Sequence, residues 1–336
     1  MLSGSGRPVP LLRRPDHVRG GPCCPPPEEV LSSGRLPPLS SDATVMRTIR
    51  PSLAVHAALR LVRPANLAVS FAGTVVGGLV GLGSGISASP ELWTFFVLAG
   101  LSTASVTAAG NVLNDVLDLE VDRTNHPDRP LVTGEIPVET ARGMVVGLFI
   151  AGLFLVLPVI AVAPLVGFIL GLAVLSLLAY EFLLKSRGFV GNLVVAFLTA
   201  IVFLYGGAAA GNAAVLLPFA GMAFLATLSR EVIKDMEDVR GDIGRVTLPM
   251  SHGLPYSGRV ARSSIAAAVV LSAVPLLWFV SVTSVAGIIY LGLVAVADAV
   301  FGESVRHLPE RLHYEQTMSK LAMSVALLAF LAVAFR

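Results

Sequence analysis

Charge is scarce in this chain: Asp, Glu, Lys and Arg together make up 14% of its 336 residues, against 54% hydrophobic residues. That balance excludes an ordinary soluble domain. Cysteine is scarcer still. Cys23 and Cys24 are the only two, and they are adjacent near the amino end. Neither a disulfide framework nor a cysteine-based zinc site is therefore available to the apolar remainder. The six histidines form no H-E-x-x-H or other compact ligand set, and the glycines lack the strand and GK[ST] ending of a phosphate loop. No basic stripe interleaved with aromatic residues runs along the sequence, and the net charge is only +2, so nucleic acid is not an expected partner.

What the sequence has instead is long apolar runs. About 20 apolar residues suffice to cross a bilayer, and nine such spans are read at residues 66 to 86, 93 to 114, 139 to 160, 163 to 184, 189 to 209, 214 to 234, 259 to 280, 282 to 299 and 315 to 335. The basic residues check this reading independently. Arg123 and Arg129, Lys185 and Arg187, Arg240 and Arg245, and Arg306 and Arg311 follow the second, fourth, sixth and eighth spans, while the short loops between hold no Lys or Arg. Basic loops stay on the cytoplasmic side, and a wrong helix count would scramble the alternation. The expected fold is an all-α polytopic membrane protein, with nine transmembrane helices around a central cavity and lipid as its natural partner. Small-residue faces serve packing within one chain or dimerisation equally well, so the oligomeric state stays open.

Residues 1 to 45 are rich in Pro, Gly, Ser and Arg and lack the apolar periodicity of a core, which predicts a disordered extension. No apolar stretch makes it a secretory signal. Composition changes abruptly before Met46, which makes that residue a candidate initiator; an intact mass that includes residues 1 to 45 would end this hypothesis. Residues 46 to 65 mix spaced Leu, Val and Ala with arginines, suiting an interfacial lead-in to a membrane domain over residues 66 to 336.

Two segments at the ends of apolar runs carry carboxylates in one register: Asp115, Asp118 and Asp122 in NDVLDLEVD, and Asp235, Asp238 and Asp242 in KDMEDVRGD. In a helix, positions i, i+3 and i+7 share a face, so each triplet is expected to point three negative groups at a common place. At ~6 Å and an effective dielectric of ~20, each carboxylate pair repels by roughly 3 kcal/mol. Such faces call for cations, and Mg²⁺ suits them because it takes a few carboxylates together with substrate phosphate oxygens. Solvated acidic loops are the plain alternative, and the repeated spacing weighs against it.

Asn111 and Asn114 precede the first triplet, and Arg129 follows it in NHPDRPL, a loop stiffened by two prolines. The Arg129 guanidinium is placed to clamp phosphate oxygens; for Arg123 the same role competes with a surface salt bridge. Arg230 and Lys234 end the sixth span, where they contact substrate or snorkel to the interface. Between the triplets lies YEFLLKSRGFVGN, with Tyr180, Glu181, Lys185 and Asn192. Lys185 offers a positive charge for a departing diphosphate, or is only a topology signal. Phe71, Phe95, Phe96, Phe197 and Tyr205 line a lipid-accessible chamber or simply pack.

Nine spans with NDVLDLEVD after the second and KDMEDVRGD after the sixth resemble the UbiA superfamily of intramembrane prenyltransferases over roughly residues 60 to 335. RPAN at Arg63 to Asn66 is similar to that family's entry to its first helix, and YEFLLKSRGFVGN to its fourth-to-fifth helix connection. NHPDRPL and SREVIKDMEDVRGD most resemble the archaeal ether-lipid branch. The resemblance implies Mg²⁺-dependent transfer of a geranylgeranyl group from its diphosphate to the free hydroxyl of geranylgeranylglyceryl phosphate, at a site facing the cytoplasm. It implies metal binding by Asn114, Asp115, Asp118, Asp122, Asp235, Asp238 and Asp242, and help for the diphosphate from Lys185. Asn111, Arg129, Tyr180 and Lys234 complete the expected substrate contacts. Related members prenylate aromatic or pigment acceptors, which keeps an aromatic acceptor as the alternative. A transporter would hold its carboxylates near the bilayer midplane; the DG-x-x-AR opening of the CDP-alcohol phosphotransferases is absent.

Overall fold

The structure is a computed structural model that describes residues 51 to 83, 90 to 239 and 246 to 336, all within one compact unit, Ile49–Arg336. The expected extension over residues 1 to 45, and Asp242, lie outside the described residues. No strand occurs among them. A short amphipathic helix α1 (Pro51–Val62) leads into α2 (Pro64–Leu82), α3 (Pro90–Leu117), α4 (Leu119–Asn125), α5 (Val138–Val162) and α6 (Pro164–Ala179), which runs into a π-helical turn, Tyr180–Leu184. Then come α7 (Phe189–Ala209), a 3₁₀ turn, α8 (Leu217–Asp238), α9 (Leu248–His252), α10 (Leu254–Leu271), α11 (Val274–Trp278), α12 (Val285–Glu303) and α13 (Leu312–Val333). Among the described residues, nine helical segments are long and apolar enough to cross a membrane. They match the expected spans within a few residues. The seventh starts at Leu254 rather than 259, because Gly253 at φ 81° stops α9 and Pro255 starts the next helix.

Proline punctuates the bundle. Ala163 alone joins α5 to α6, held out of helical geometry (φ −133°, ψ 78°) by the ring of Pro164. The seventh span is interrupted between α10 and α11 at Ser272, and its backbone is satisfied from α12. Tyr290 donates to the Ser272 carbonyl at 2.7 Å, while Ser272 Oγ donates to Asp298 at 2.8 Å. Broken helices survive in a bilayer only when neighbours supply such bonds.

Helices α2, α7, α8 and α13 form a ring, each packed against the next. At one end Phe203, Phe219 and Phe330 fill it edge to face, with centroids 5.6 and 4.9 Å apart. The α2–α7 crossing is tightest at Gly206, where an added Cβ would sit 2.0 Å from the Thr74 carbonyl oxygen. Gly206→Ala is therefore expected to destabilise the protein by roughly 1–3 kcal/mol, seen as a lowered melting temperature in detergent. Gly147→Ala, which meets nothing within 4 Å, is expected to stay within ~0.5 kcal/mol. Equal melting temperatures for the two variants would refute the close crossing.

Candidate functional site

At the opposite end of the ring the charged residues gather. Asp115, on the last turn of α3, is only 3% exposed and accepts from Arg63 and, at 3.0 Å, from Arg129. Arg129 also donates to Asp122 on α4, which is 4% exposed. Arg129 is carried by a loop of successive turns, whose Leu131 and Ile136 are buried against α1, α3 and α5. That apolar anchoring gives a surface loop a fixed guanidinium. Arg60 of α1 holds the loop from outside, pairing with Glu135 at 3.1 Å and donating to the Asp128 carbonyl.

The first triplet does not point at one place as expected. The chain bends at Asp118 (φ −88°, ψ 5°), between α3 and α4, although the helical bonds into Asp118 and Asp122 persist. The bend leaves Asp115 and Asp122 sharing Arg129 and turns Asp118 to Lys185, whose Nζ lies 2.5 Å away. Lys185 also reaches Glu181 at 3.3 Å, and Asn114 Nδ2 bridges Asp118 at 3.2 Å and Glu181 at 3.3 Å. The π-helical turn is marked by the bond from Lys185 N to the Tyr180 carbonyl at 2.9 Å, and such widened turns favour functional positions.

The second triplet is reached through the same connection. Asn192 on α7 donates to Asp235 at 2.7 Å, and Asp235 is 7% exposed. Asp238 ends α8. The Tyr180 ring lies over Gly191, 3.5 Å from where a Cβ would stand, and Gly188, at φ 54°, gives room to the Val246 carbonyl beyond the second motif. Residues 180 to 192 thus touch both acidic motifs, with Lys185 on the first and Asn192 on the second. Both motifs accordingly lie at the same end of the bundle.

Other expected residues have separate tasks. Asn111 donates to the Val62 carbonyl at 2.8 Å, tying α3 to the α1–α2 junction. Arg123 pairs with Glu120 at 3.4 Å in a solvent-exposed bridge. Lys234 is exposed and has no ion-pair partner among the described residues, while Arg230 pairs with its neighbour Glu231 at 2.6 Å. Tyr205 is buried with its hydroxyl on Ser102, and Phe96 packs in the core. The sequence named Arg63, Glu181 and Asn192 within their motifs but gave them no role at the site. Their signals were the arginine of RPAN, the i, i+4 spacing of Glu181 to Lys185, and the GN ending of the connection.

Among the described residues no three His, Cys, Asp or Glu side chains form an all-protein metal cage. The donor chemistry nevertheless fits Mg²⁺: Asp115, Asp118, Asp122 and Asp235, with the Asn114 amide oxygen, are hard oxygen donors that would hold the ion alongside water and phosphate oxygens. In this structure the guanidinium and ammonium groups of Arg63, Arg129 and Lys185 supply the counter-charge to those carboxylates.

This chain belongs to the UbiA prenyltransferase family, whose model matches residues 70–334. It is a multi-pass membrane protein of that enzyme class, a prenyltransferase. It is 37% identical over 257 residues to the digeranylgeranylglyceryl phosphate synthase of Methanoculleus marisnigri, covering 74% of this chain and 85% of that protein. The protein of the same name from Methanopyrus kandleri is 34% identical over 292 residues, covering 83% and 99%. A solved structure concerned with digeranylgeranylglyceryl phosphate synthase in membranes superposes with a TM-score of 0.68 at 29% identity, covering 84% of this chain and 98% of that one. A UbiA homolog from Archaeoglobus fulgidus, bound to GPP and Mg²⁺, shares the fold with a TM-score of 0.58 at 18% identity, covering 82% and 99%.

Proposed function

We propose that this protein transfers a geranylgeranyl group from geranylgeranyl diphosphate to the free hydroxyl of geranylgeranylglyceryl phosphate, with Mg²⁺, from the cytoplasmic side of the membrane. The observation that carries this reading is the meeting of both acidic motifs on the single connection that bears Lys185. Relatives named digeranylgeranylglyceryl phosphate synthase, similar over 74% and 83% of the chain, support the choice of acceptor. The basic loops after the even-numbered spans support the orientation.

Asn114, Asp115, Asp118 and Asp122 of the first motif, and Asp235, Asp238 and Asp242 of the second, would hold Mg²⁺. The metal supplies neutralisation of the leaving diphosphate. Lys185, already seated against Asp118, places an ammonium where negative charge accumulates as the donor's C–O bond breaks and its electron pair leaves with the diphosphate. Arg129 holds the two flanking carboxylates in register and presents its remaining donors to phosphate oxygens. Tyr180 and Asn111 fix the walls, one on Gly191 and the other on Val62. The glycerol oxygen attacks the allylic carbon, and its proton passes to the released diphosphate or to one of the aspartates as the ether forms. Holding the allylic carbon among packed helices would exclude the water that otherwise captures an allylic cation.

The test is purified protein in detergent with Mg²⁺, radiolabelled geranylgeranyl diphosphate and a panel of glyceryl lipids and aromatic acids. Product is expected from geranylgeranylglyceryl phosphate. Product from aromatic acids alone, or substrate movement across liposomes without chemistry, would refute the reading.

A further inference from the structure

Within the ring of α2, α7, α8 and α13, helix α8 turns one face inward, between the faces it presents to α7 and α13. At 100° per residue, Asp235, which meets Asn192 of α7, and Glu237, which meets His313 and Gln316 of α13, bracket an arc turned across the ring toward α2. On that arc stand Thr227, Arg230, Glu231, Lys234 and Asp238, a stripe at i, i+3, i+4, i+7 and i+11. Its inner end is unusual. Thr227 is 3% exposed, and its hydroxyl has no hydrogen-bond partner among the described residues, a costly state for a buried polar group. One turn outward is the Arg230 guanidinium, anchored on Glu231 at 2.6 Å, and a further turn outward is the Lys234 ammonium, which has no ion-pair partner among the described residues. A hydroxyl, a guanidinium and an ammonium along one line are donors suited to an anion with several acceptor oxygens.

The reaction proposed above brings two anions to this end of the bundle, the donor's diphosphate and the acceptor's phosphate monoester. The cations beside the first motif are already matched to its carboxylates: Arg63 and Arg129 to Asp115 and Asp122, Lys185 to Asp118. On α8, Lys234 has no ion-pair partner among the described residues and Arg230 keeps donors beyond its bond to Glu231, so these two offer charge to the second anion. We infer that Thr227, Arg230 and Lys234 bind the phosphate monoester of the lipid acceptor and set the enzyme's preference for a phosphorylated one. Glycerol has three carbons, so fixing the phosphate confines the reacting hydroxyl to within a few bonds of it, and the stripe orients the nucleophile without touching it.

This inference rests on the proposed glyceryl acceptor, and the experiment separates the two. Wild type, Arg230→Gln, Lys234→Gln and Lys234→Arg are assayed in detergent with Mg²⁺ and geranylgeranyl diphosphate, using geranylgeranylglyceryl phosphate and its dephosphorylated form as acceptors. Wild type is expected to favour the phosphorylated acceptor. Each glutamine variant is expected to reduce that preference in kcat/KM by about tenfold or more, the scale of one lost charge-assisted hydrogen bond. The KM for donor is expected to hold, and Lys234→Arg to keep most of the preference. A preference that survives both glutamine variants, or a donor KM that rises as steeply as the acceptor's, overturns the inference while the proposed reaction stands. If wild type makes no ether from either glyceryl acceptor, the proposed reaction falls and the stripe's assignment falls with it.

Discussion

Asp115→Asn is expected to slow prenyl transfer about a thousandfold, the scale on which losing one preorganised charge-stabilising group is felt, while leaving the protein folded. The substitution keeps the shape and one acceptor oxygen, so Arg63 and Arg129 retain a partner of the same size. What it removes is the negative charge that sits deepest among the first-motif carboxylates at 3% exposure, where a hard cation gains most from it. The loss should appear in single-turnover experiments with radiolabelled donor and be accompanied by a higher Mg²⁺ requirement. Transfer within tenfold of wild type, with an unchanged Mg²⁺ requirement, would remove Asp115 from the metal site.

Lys185→Gln should fall on a different parameter. Its ammonium stands between Asp118 and Glu181 at 2.5 and 3.3 Å, so removing it takes away the charge that meets the departing diphosphate and leaves two carboxylates facing each other. At ~6 Å and an effective dielectric of ~20 their repulsion is roughly 3 kcal/mol, enough to disturb the Asn114 bridge between them. A fall of ~10²- to 10³-fold in kcat is expected, larger than any change in donor KM. Lys185→Arg should recover part of it, since charge is kept and only the geometry changes. An unaltered kcat in the glutamine variant would reduce Lys185 to a topology signal.

The fold was largely written in local sequence. Apolar length and the alternation of basic loops are properties of neighbouring residues, and they located all nine spans, missing chiefly the start at Leu254, where Gly253 and Pro255 decide the boundary. The carboxylate positions were equally plain, because a repeated register needs no tertiary knowledge. Their partners were not. Arg63 meets Asp115 across 52 positions and Lys185 meets Asp118 across 67, pairings that depend on which helices become neighbours. Helical periodicity foretold three convergent aspartates, and the bend at Asp118 divided them between two cations. Glu181 and Asn192 went without a role for the same reason, since their partners Asn114 and Asp235 lie 67 and 43 positions away.

Arg63 is the one non-glycine among the described residues with a positive φ, 59°, and it precedes Pro64, which narrows its freedom further. Glycine would make this elbow without the ~1–3 kcal/mol that such a conformation costs a residue with a side chain. The same backbone that is uncomfortable for arginine is what brings the guanidinium back to Asp115. Arg63→Gly would thus make the local chain easier to fold and the buried carboxylate harder to keep, so stability and electrostatic order pull in opposite directions at a single residue.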